Sequence, residues 1–169
     1  YKETDALGGY DPYSASKACS EIITACYRDS FFNLNVYDKS HSVLVASARA
    51  GNVIGGGDWS EDRLIPDLVR AISTTEKTII RNPKSVRPWQ HVLEPLTGYL
   101  LIGQKLLQKE NIFADSWNLG PSKNEFCSVA EVIGIAKKHW PKIDYKFQEN
   151  TILHEAKLLK LNSDKAYNL

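Results

Sequence analysis

The chain has 169 residues with 21 basic and 20 acidic side chains, and its formal net charge is +1. This balance argues against a nucleic-acid binder that depends on a broadly basic surface, although a local cluster of cations can still bind a small anion. No apolar run reaches the roughly 18–20 residues that span a bilayer. We therefore expect neither nucleic acid nor membrane as a partner, and a cytoplasmic location.

The first predicted element is a helix over residues 13–28 (YSASKACSEIITACYR), with apolar residues at helical spacing behind Pro12. Cys19 and Cys26 recur seven residues apart on its apolar stripe. No cluster of metal-ligand residues surrounds them or Cys127, so we expect no metal site. Buried thiols in a reducing compartment are the expectation.

A buried strand is predicted over residues 43–46, where β-branched and apolar side chains run together ahead of Gly51 and Asn52. A helix is predicted over residues 62–75, with Pro66 tolerated because it falls near the first turn. A possible change of layer is expected near residue 55, although no Pro/Gly/Ser-rich linker marks it.

The rest of the chain continues the alternation of predicted strands and helices. Strands are predicted within residues 78–82 and 115–121, and helices over residues 94–110 and 128–140. The last helix opens on a capping-box pattern, because Ser128 is followed three residues later by Glu131. Alternating helices and short strands predict an α/β architecture.

The sequence PYSASK places Tyr13 four residues before Lys17 in the first helix. Residues at this spacing project from the same helix face. A phenol titrates near about pH 10 and is a poor base at neutral pH, but a neighbouring ammonium favours the phenolate form. Such a pair can transfer a proton to or from a hydroxyl. Alone, the spacing is common and does not distinguish a catalytic pair from exposed helix residues.

Four further segments follow PYSASK in a fixed order: SARAGNVIGGGDW, DRLIPDLVRA, VRPWQHVLEP and WNLGP. Together the five segments resemble the ordered motifs of the extended short-chain dehydrogenase/reductase family, in particular its sugar-nucleotide members. The details GYDPYSASK, GNVIGGGDW and LEP most resemble the members that dehydrate CDP-glucose for the deoxysugars of bacterial surface polysaccharides, including O-antigen.

The resemblance implies the C-terminal part of an NAD-binding Rossmann-type fold plus the smaller substrate-binding domain. Residues 1–54 are expected to end the NAD-binding domain, and residues 55–169 to form mainly the sugar-nucleotide-binding region. It also implies NAD as cofactor, a nucleotide sugar as substrate, and a homodimer or homotetramer in which the first helix packs against its twin.

By the same resemblance, each motif residue acquires an expected role. Tyr13 is expected to take the proton from the sugar 4-hydroxyl while a hydride leaves carbon 4 for NAD, and Lys17 to bind the nicotinamide ribose. Ala50 is expected to lie near the nicotinamide through its backbone. The substrate-binding residues implied by the motifs are Asn52, Arg63, Arg81, Arg87 and His91.

Some parts of the family pattern are missing. The glycine-rich turn that seats the pyrophosphate of NAD does not occur in this sequence, nor do the dehydration acid and base that the family carries upstream of its tyrosine. We therefore expect the chain to be the second half of a longer protein. Near its end, Ala156 and Lys157 stand where related hexose dehydratases carry an arginine pair.

Other functions remain open at this point. A 4-epimerase or another nucleotide-hexose dehydratase begins with the same oxidation at carbon 4, so the Tyr13–Lys17 pair does not distinguish them. A chain that is natively this short could be a non-catalytic sugar-nucleotide-binding fragment. A structural domain built around the helix at residues 13–28 is the third class, since Ala15, Ala18 and Cys19 would let a second helix approach closely.

Overall fold

A computed structural model describes residues 1–74, 76–121, 126–148 and 158–168. The helices are α1 (Pro12–Phe31), α2 (Leu64–Thr74), α3 (Leu93–Leu107), α4 (Val129–His139) and α5 (Asp164–Tyr167). The strands are β1 (Ser47–Ala50), β2 (Val53–Ile54), β3 (Thr78–Ile80), β4 (Val86–Arg87), β5 (Gln90–His91), β6 (Ser116–Leu119), β7 (Cys127–Ser128) and β8 (Tyr145–Phe147). The predicted α/β class is confirmed.

The chain forms two compact units that alternate along the sequence. The first unit comprises Tyr1–Ala50, Leu93–Leu119 and Asn162–Leu169, and the second comprises Gly51–Val92 and Gly120–Leu161. The assignment of an NAD-binding domain to residues 1–54 and of a sugar-nucleotide-binding region to residues 55–169 stays a prediction, because compactness alone does not show which ligand a unit binds.

In the first unit, β1 and β6 pair in parallel, with Ser47 opposite Ser116 and Ala50 opposite Leu119. The buried core beside them consists of Ile102 on α3, Phe113 and Trp117. The rings of Phe113 and Trp117 stack with their centroids 5.4 Å apart. This core holds β6, and through it β1, in a fixed register.

Helix α1 begins where its local sequence predicts. Asp11 caps it by accepting a hydrogen bond from the Ser14 backbone N–H at 3.0 Å, and Pro12 occupies the first helical position. The expected burial of Cys19 and Cys26 is wrong for this chain, because both thiols are exposed. They lie beside the stripe that faces the rest of the unit, on which Ala18 is buried.

Among the described residues of the second unit, the strands form three pairs. β2 pairs with β5 and β3 with β8 in parallel, whereas β4 and β7 are antiparallel. Its buried core consists of Leu68 from α2, Ile80 from β3, Ile133 from α4 and Ile143. The predicted capping box of α4 is confirmed, since Glu131 N–H donates to the Ser128 hydroxyl at 3.2 Å and Ser128 N–H donates back to the Glu131 carboxylate at 2.7 Å.

One predicted strand is misplaced. Residues 43–46 are not in a strand, and the strand begins at Ser47. The limits of the strand are set by its pairing with β6, which runs in parallel from Ser47 to Ala50. The higher β propensity of residues 43–46 does not change these limits. In the part of the chain that the structure describes, no helix is both long enough and apolar enough to cross a membrane.

Candidate functional site

Tyr13 and Lys17 lie on one face of α1, in its first two turns. The Lys17 ammonium is 5.6 Å from the centroid of the Tyr13 ring, within the range of a cation–π contact. Both side chains are exposed, Tyr13 to 69%. The phenol and the ammonium are thus presented together at the surface of the first unit, so that each can contact the same bound molecule.

The next turn of the same face carries Glu21, which the sequence reasoning did not single out. One oxygen of its carboxylate accepts hydrogen bonds from the Ser47 hydroxyl at 2.7 Å and from the Arg49 guanidinium at 3.0 Å. Burial opposes the ionisation of this carboxyl, but the bonds and charge of Arg49 and the bond from Ser47 outweigh it and lower the pKa of Glu21. No local sequence signal marks Glu21, because its partner Arg49 is 28 residues away in the chain.

Ala50 is the last residue of β1 and is held opposite Leu119 in the parallel ladder. Its backbone therefore ends a strand whose position is fixed by β6. Ligands in open α/β sheets bind at the carboxyl ends of parallel strands. The structure places Ala50 at such an end, which is compatible with its expected contact to a nicotinamide.

In the second unit, three of the expected substrate-binding residues lie on or directly beside β2, β4 and β5. The Asn52 carbonyl accepts a hydrogen bond from Gln90 N–H at 3.0 Å, and His91 pairs with Ile54. Arg87 ends β4, and its carbonyl accepts from Trp89 N–H at 3.0 Å in the turn that leads into β5. The structure thus brings together Asn52, Arg87 and His91.

These three residues differ in exposure. His91 is exposed and Asn52 is half-buried, whereas Arg87 is only 8% exposed and donates to the Val86 carbonyl at 3.0 Å. Its burial argues against a solvated surface charge at Arg87. A buried guanidinium in this place is instead held in a defined orientation by its neighbours.

Arg63 and Arg81 are brought to a second place in this unit, the loop between β2 and α2. Arg63 lies 3.7 Å from a carboxylate oxygen of Asp58, and Arg81 donates to the Asp62 carboxylate at 3.1 Å. The hydrogen bonds from Ser60 lower the pKa of Asp58, and the charge of Arg63 adds to the effect. Both guanidinium groups keep exposed surface, so each can turn toward an anion.

The residues of the first unit fit the nicotinamide end of NAD. The exposed ammonium of Lys17 suits a ribose hydroxyl, and the exposed phenol of Tyr13 on the same face suits the reacting sugar. Among the described residues, no group of three or more histidine, cysteine, aspartate or glutamate side chains is arranged to hold a metal ion.

Comparison with known proteins identifies the family of the chain. Residues 2–120 match the family described as the NAD dependent epimerase/dehydratase family. The chain belongs to that family. It is also 46% identical over 167 residues to the CDP-glucose 4,6-dehydratase of Salmonella typhimurium, an alignment that covers 98% of this chain and 46% of the relative. The resemblance inferred from the five motifs is confirmed. The description of the family names NAD as its cofactor.

Solved structures of epimerase/dehydratase proteins show the same fold. The UDP-N-acetylglucosamine 4-epimerase of Methanobrevibacter ruminantium matches with a TM-score of 0.76 at 19% identity, over 99% of this chain and 49% of its own. The dTDP-glucose 4,6-dehydratase of Streptomyces venezuelae, solved with NAD bound, matches with a TM-score of 0.73 at 18% identity, over 99% and 47%. These matches confirm the Rossmann-type fold class.

The chain spans about half the length of the relatives it matches. The expected replacement of an arginine pair by Ala156 and Lys157 lies outside the described residues.

Proposed function

We propose that this chain is part of a nucleotide-sugar 4,6-dehydratase that converts CDP-glucose to CDP-4-keto-6-deoxyglucose. The observation that carries the proposal is the Tyr13–Lys17 pair, exposed on one face of α1 with the ammonium 5.6 Å from the phenol ring. The identity of 46% to a CDP-glucose 4,6-dehydratase supports the choice of nucleotide and hexose.

In the proposed reaction, Tyr13 accepts the proton of the sugar 4-hydroxyl through its phenolic oxygen. Lys17, on the same helix face, donates a hydrogen bond to the nicotinamide ribose. NAD, when bound, supplies the hydride acceptor for carbon 4 and the donor that returns it at carbon 6. Over the whole reaction, the proton that Tyr13 takes from the 4-hydroxyl and the hydroxyl group lost from carbon 6 leave together as water.

Binding of the diphosphate is assigned to residues of the second unit. Guanidinium groups pair with phosphate oxygens through two parallel hydrogen bonds. Arg63 and Arg81 already contact carboxylates, at 3.7 and 3.1 Å. A phosphate oxygen can therefore take the place of the Asp58 or Asp62 carboxylate as the anionic partner of the guanidinium group. Arg87 contributes from its buried position, while Asn52 and His91 contact the sugar nucleotide.

The test of the proposed function is a substrate panel. The full-length natural protein is incubated with NAD and, separately, with the glucose derivatives of CDP, dTDP and UDP and with GDP-mannose. Formation of the 4-keto-6-deoxy product is followed by mass spectrometry. We expect product from CDP-glucose with the highest kcat/KM. Inversion at carbon 4 without loss of water would instead identify a 4-epimerase, and absence of both reactions would refute the proposal.

We also propose that the protein assembles as a homodimer or a pair of dimers through α1, in the cytoplasm, where its product serves the synthesis of surface polysaccharide such as O-antigen. Four large side chains of α1 support the interface, since each is more than half exposed: Ile22, Ile23, Tyr27 and Phe31. Sedimentation equilibrium tests it. Ile23→Asp should yield monomers, whereas a wild-type protein that is already monomeric contradicts the proposal.

A further inference from the structure

The stripe of α1 that faces the rest of the first unit is unusually polar. It consists of Ala18, Glu21, Ala25 and Arg28, at spacings of three and four residues. Only Ala18 is buried among the residues of this helix. Two alanines bury little apolar surface, because each side chain is a single methyl group. The large apolar residues of α1 are exposed, so they do not hold the helix on the strands within this unit.

Polar contacts hold α1 on the strands of the first unit. Glu21 accepts from Ser47 at 2.7 Å and from Arg49 at 3.0 Å, and the Glu21 and Arg49 side chains are only 16% and 21% exposed. Seven residues further along the same stripe, Arg28 lies 3.7 Å from Asp115, directly ahead of β6. Ser47 and Arg49 are two residues apart in β1 and therefore project from the same face of that strand. The Glu21 contact is the shorter and better-defined attachment of the two.

Glu21 also lies in register with the proposed catalytic pair. Tyr13, Lys17 and Glu21 follow one another at intervals of four residues, and each interval turns by only about 40° around an α-helix. Two hydrogen bonds that meet at one carboxylate oxygen have directional requirements, which sliding apolar contacts lack. A rotation of α1 about its axis would break both bonds.

We propose that Glu21 is a positioning residue for Tyr13 and Lys17. Its bonds to β1 fix the rotation of α1 relative to the strand that ends at Ala50. The reaction assigned to Tyr13 and Lys17 rests on the proposed function, whereas the attachment of α1 through Glu21 does not.

The consequence for catalysis follows from helix geometry. A side-chain tip about 5–6 Å from the helix axis moves about 1 Å when the helix turns by about 10°. A displacement of about 1 Å at a reacting group can cost about a hundredfold in rate. Loss of the Glu21 carboxylate is therefore expected to lower kcat while leaving substrate affinity, assigned to the second unit, unchanged.

The experiment uses the full-length natural protein and compares Glu21→Ala, Arg49→Ala and the double variant. We expect each single variant to lower kcat for product formation about 10- to 100-fold with KM within about twofold of wild type. The double variant should be no slower than the worse single variant, because the two residues act as one unit. A wild-type kcat in Glu21→Ala, or multiplicative losses in the double variant, would overturn the inference.

Two further variants separate positioning from folding. Glu21→Gln keeps an oxygen acceptor for Ser47 and Arg49, so it should recover most of the lost kcat even if Glu21→Ala folds poorly. Asp29→Asn removes another carboxylate from α1, one that is 74% exposed, and should leave kcat unchanged. Equal losses in the glutamine and alanine variants, or a comparable loss in Asp29→Asn, would contradict a positioning role.

Amide hydrogen exchange gives a measurement independent of activity. Residues 13–21 should exchange about tenfold faster in Glu21→Ala than in wild type or Asp29→Asn. Should wild-type protein dehydrate none of the nucleotide hexoses, the proposed function fails, yet the exchange comparison still decides whether Glu21 holds the helix. Unchanged exchange in Glu21→Ala refutes the attachment itself.

Discussion

Replacing Gly51 with alanine should weaken the second unit and the binding of the sugar nucleotide together. A Cβ atom at this position would lie 2.3 Å from Pro88 Cγ and 2.7 Å from the Pro88 carbonyl oxygen. Carbon atoms pack best about 3.5–4.0 Å apart, so the two segments must separate by about 1 Å. Yet they are tied together directly beside the contact by the bond from Gln90 N–H to the Asn52 carbonyl, 3.0 Å long.

Overpacking of this kind costs about 1–3 kcal/mol in the free energy of unfolding. For a chain of about 150–250 residues, that corresponds to a fall in Tm of roughly 2–4 °C per kcal/mol, and to a smaller fall for a longer protein. Because Asn52 and Arg87 lie on the displaced segments, we also expect KM for the sugar nucleotide to rise about tenfold or more, with a smaller change in kcat.

The assay is thermal unfolding and steady-state kinetics of the full-length protein, with Gly134→Ala as the matched control. Gly134 lies inside α4 of the same unit, and a Cβ there would meet no atom within 4 Å. Alanine is favoured over glycine inside a helix by about 0.5–1 kcal/mol, so the control should be slightly more stable than wild type. Wild-type Tm and KM in Gly51→Ala would refute the reasoning.

Three further predictions concern separate parts of the molecule. Ile133→Ala should lose about 2–5 kcal/mol in urea unfolding, because Ile133 is completely buried among Leu68, Ile80 and Ile143; a loss below 1 kcal/mol contradicts this. Arg63→Ala should raise KM about tenfold or more at unchanged Tm, since its ion pair to Asp58 is largely exposed; an unchanged KM makes Arg63 a mere surface charge. Burial opposes ionisation of Asp115, but Lys165 and the Ser116 N–H lower its pKa below the usual 3.8. The stabilisation of the fold by this carboxylate is therefore present above that pH and is lost as the pH falls through the lowered pKa. Asp115→Asn should therefore be less stable than wild type near about pH 7, and the difference should shrink as the pH falls through the lowered pKa; a constant difference in Tm from neutral to acid pH contradicts the assignment.

Helix starts could be predicted from the sequence because their signals are local. Asp11 with Pro12 begins α1, and Ser128 with Glu131 begins α4, and in both cases the bonds span only three residues. The position of β1 could not be predicted in the same way. Its limits depend on pairing with residues 116–119, almost seventy positions away, while the more β-prone residues 43–46 remain unpaired.

The same contrast applies to the candidate site. The spacing of Tyr13 and Lys17 within one helix predicts their shared face directly. Glu21 escaped attention because its function depends on Arg49, which is 28 residues away, and a lone glutamate on a helix has no distinctive pattern. The exposure of Cys19 likewise follows from which helix face meets β1, and periodicity alone does not fix that choice.

The central claim is that Tyr13 moves the proton of the sugar 4-hydroxyl, and Tyr13→Phe in the full-length protein tests it most directly. This change removes one oxygen from a side chain that is 69% exposed, so the fold should be retained. We predict that formation of the 4-keto-6-deoxy product from CDP-glucose falls by at least about a hundredfold, while calorimetric binding of CDP-glucose stays within about twofold of wild type. Near-normal turnover in Tyr13→Phe would contradict the account.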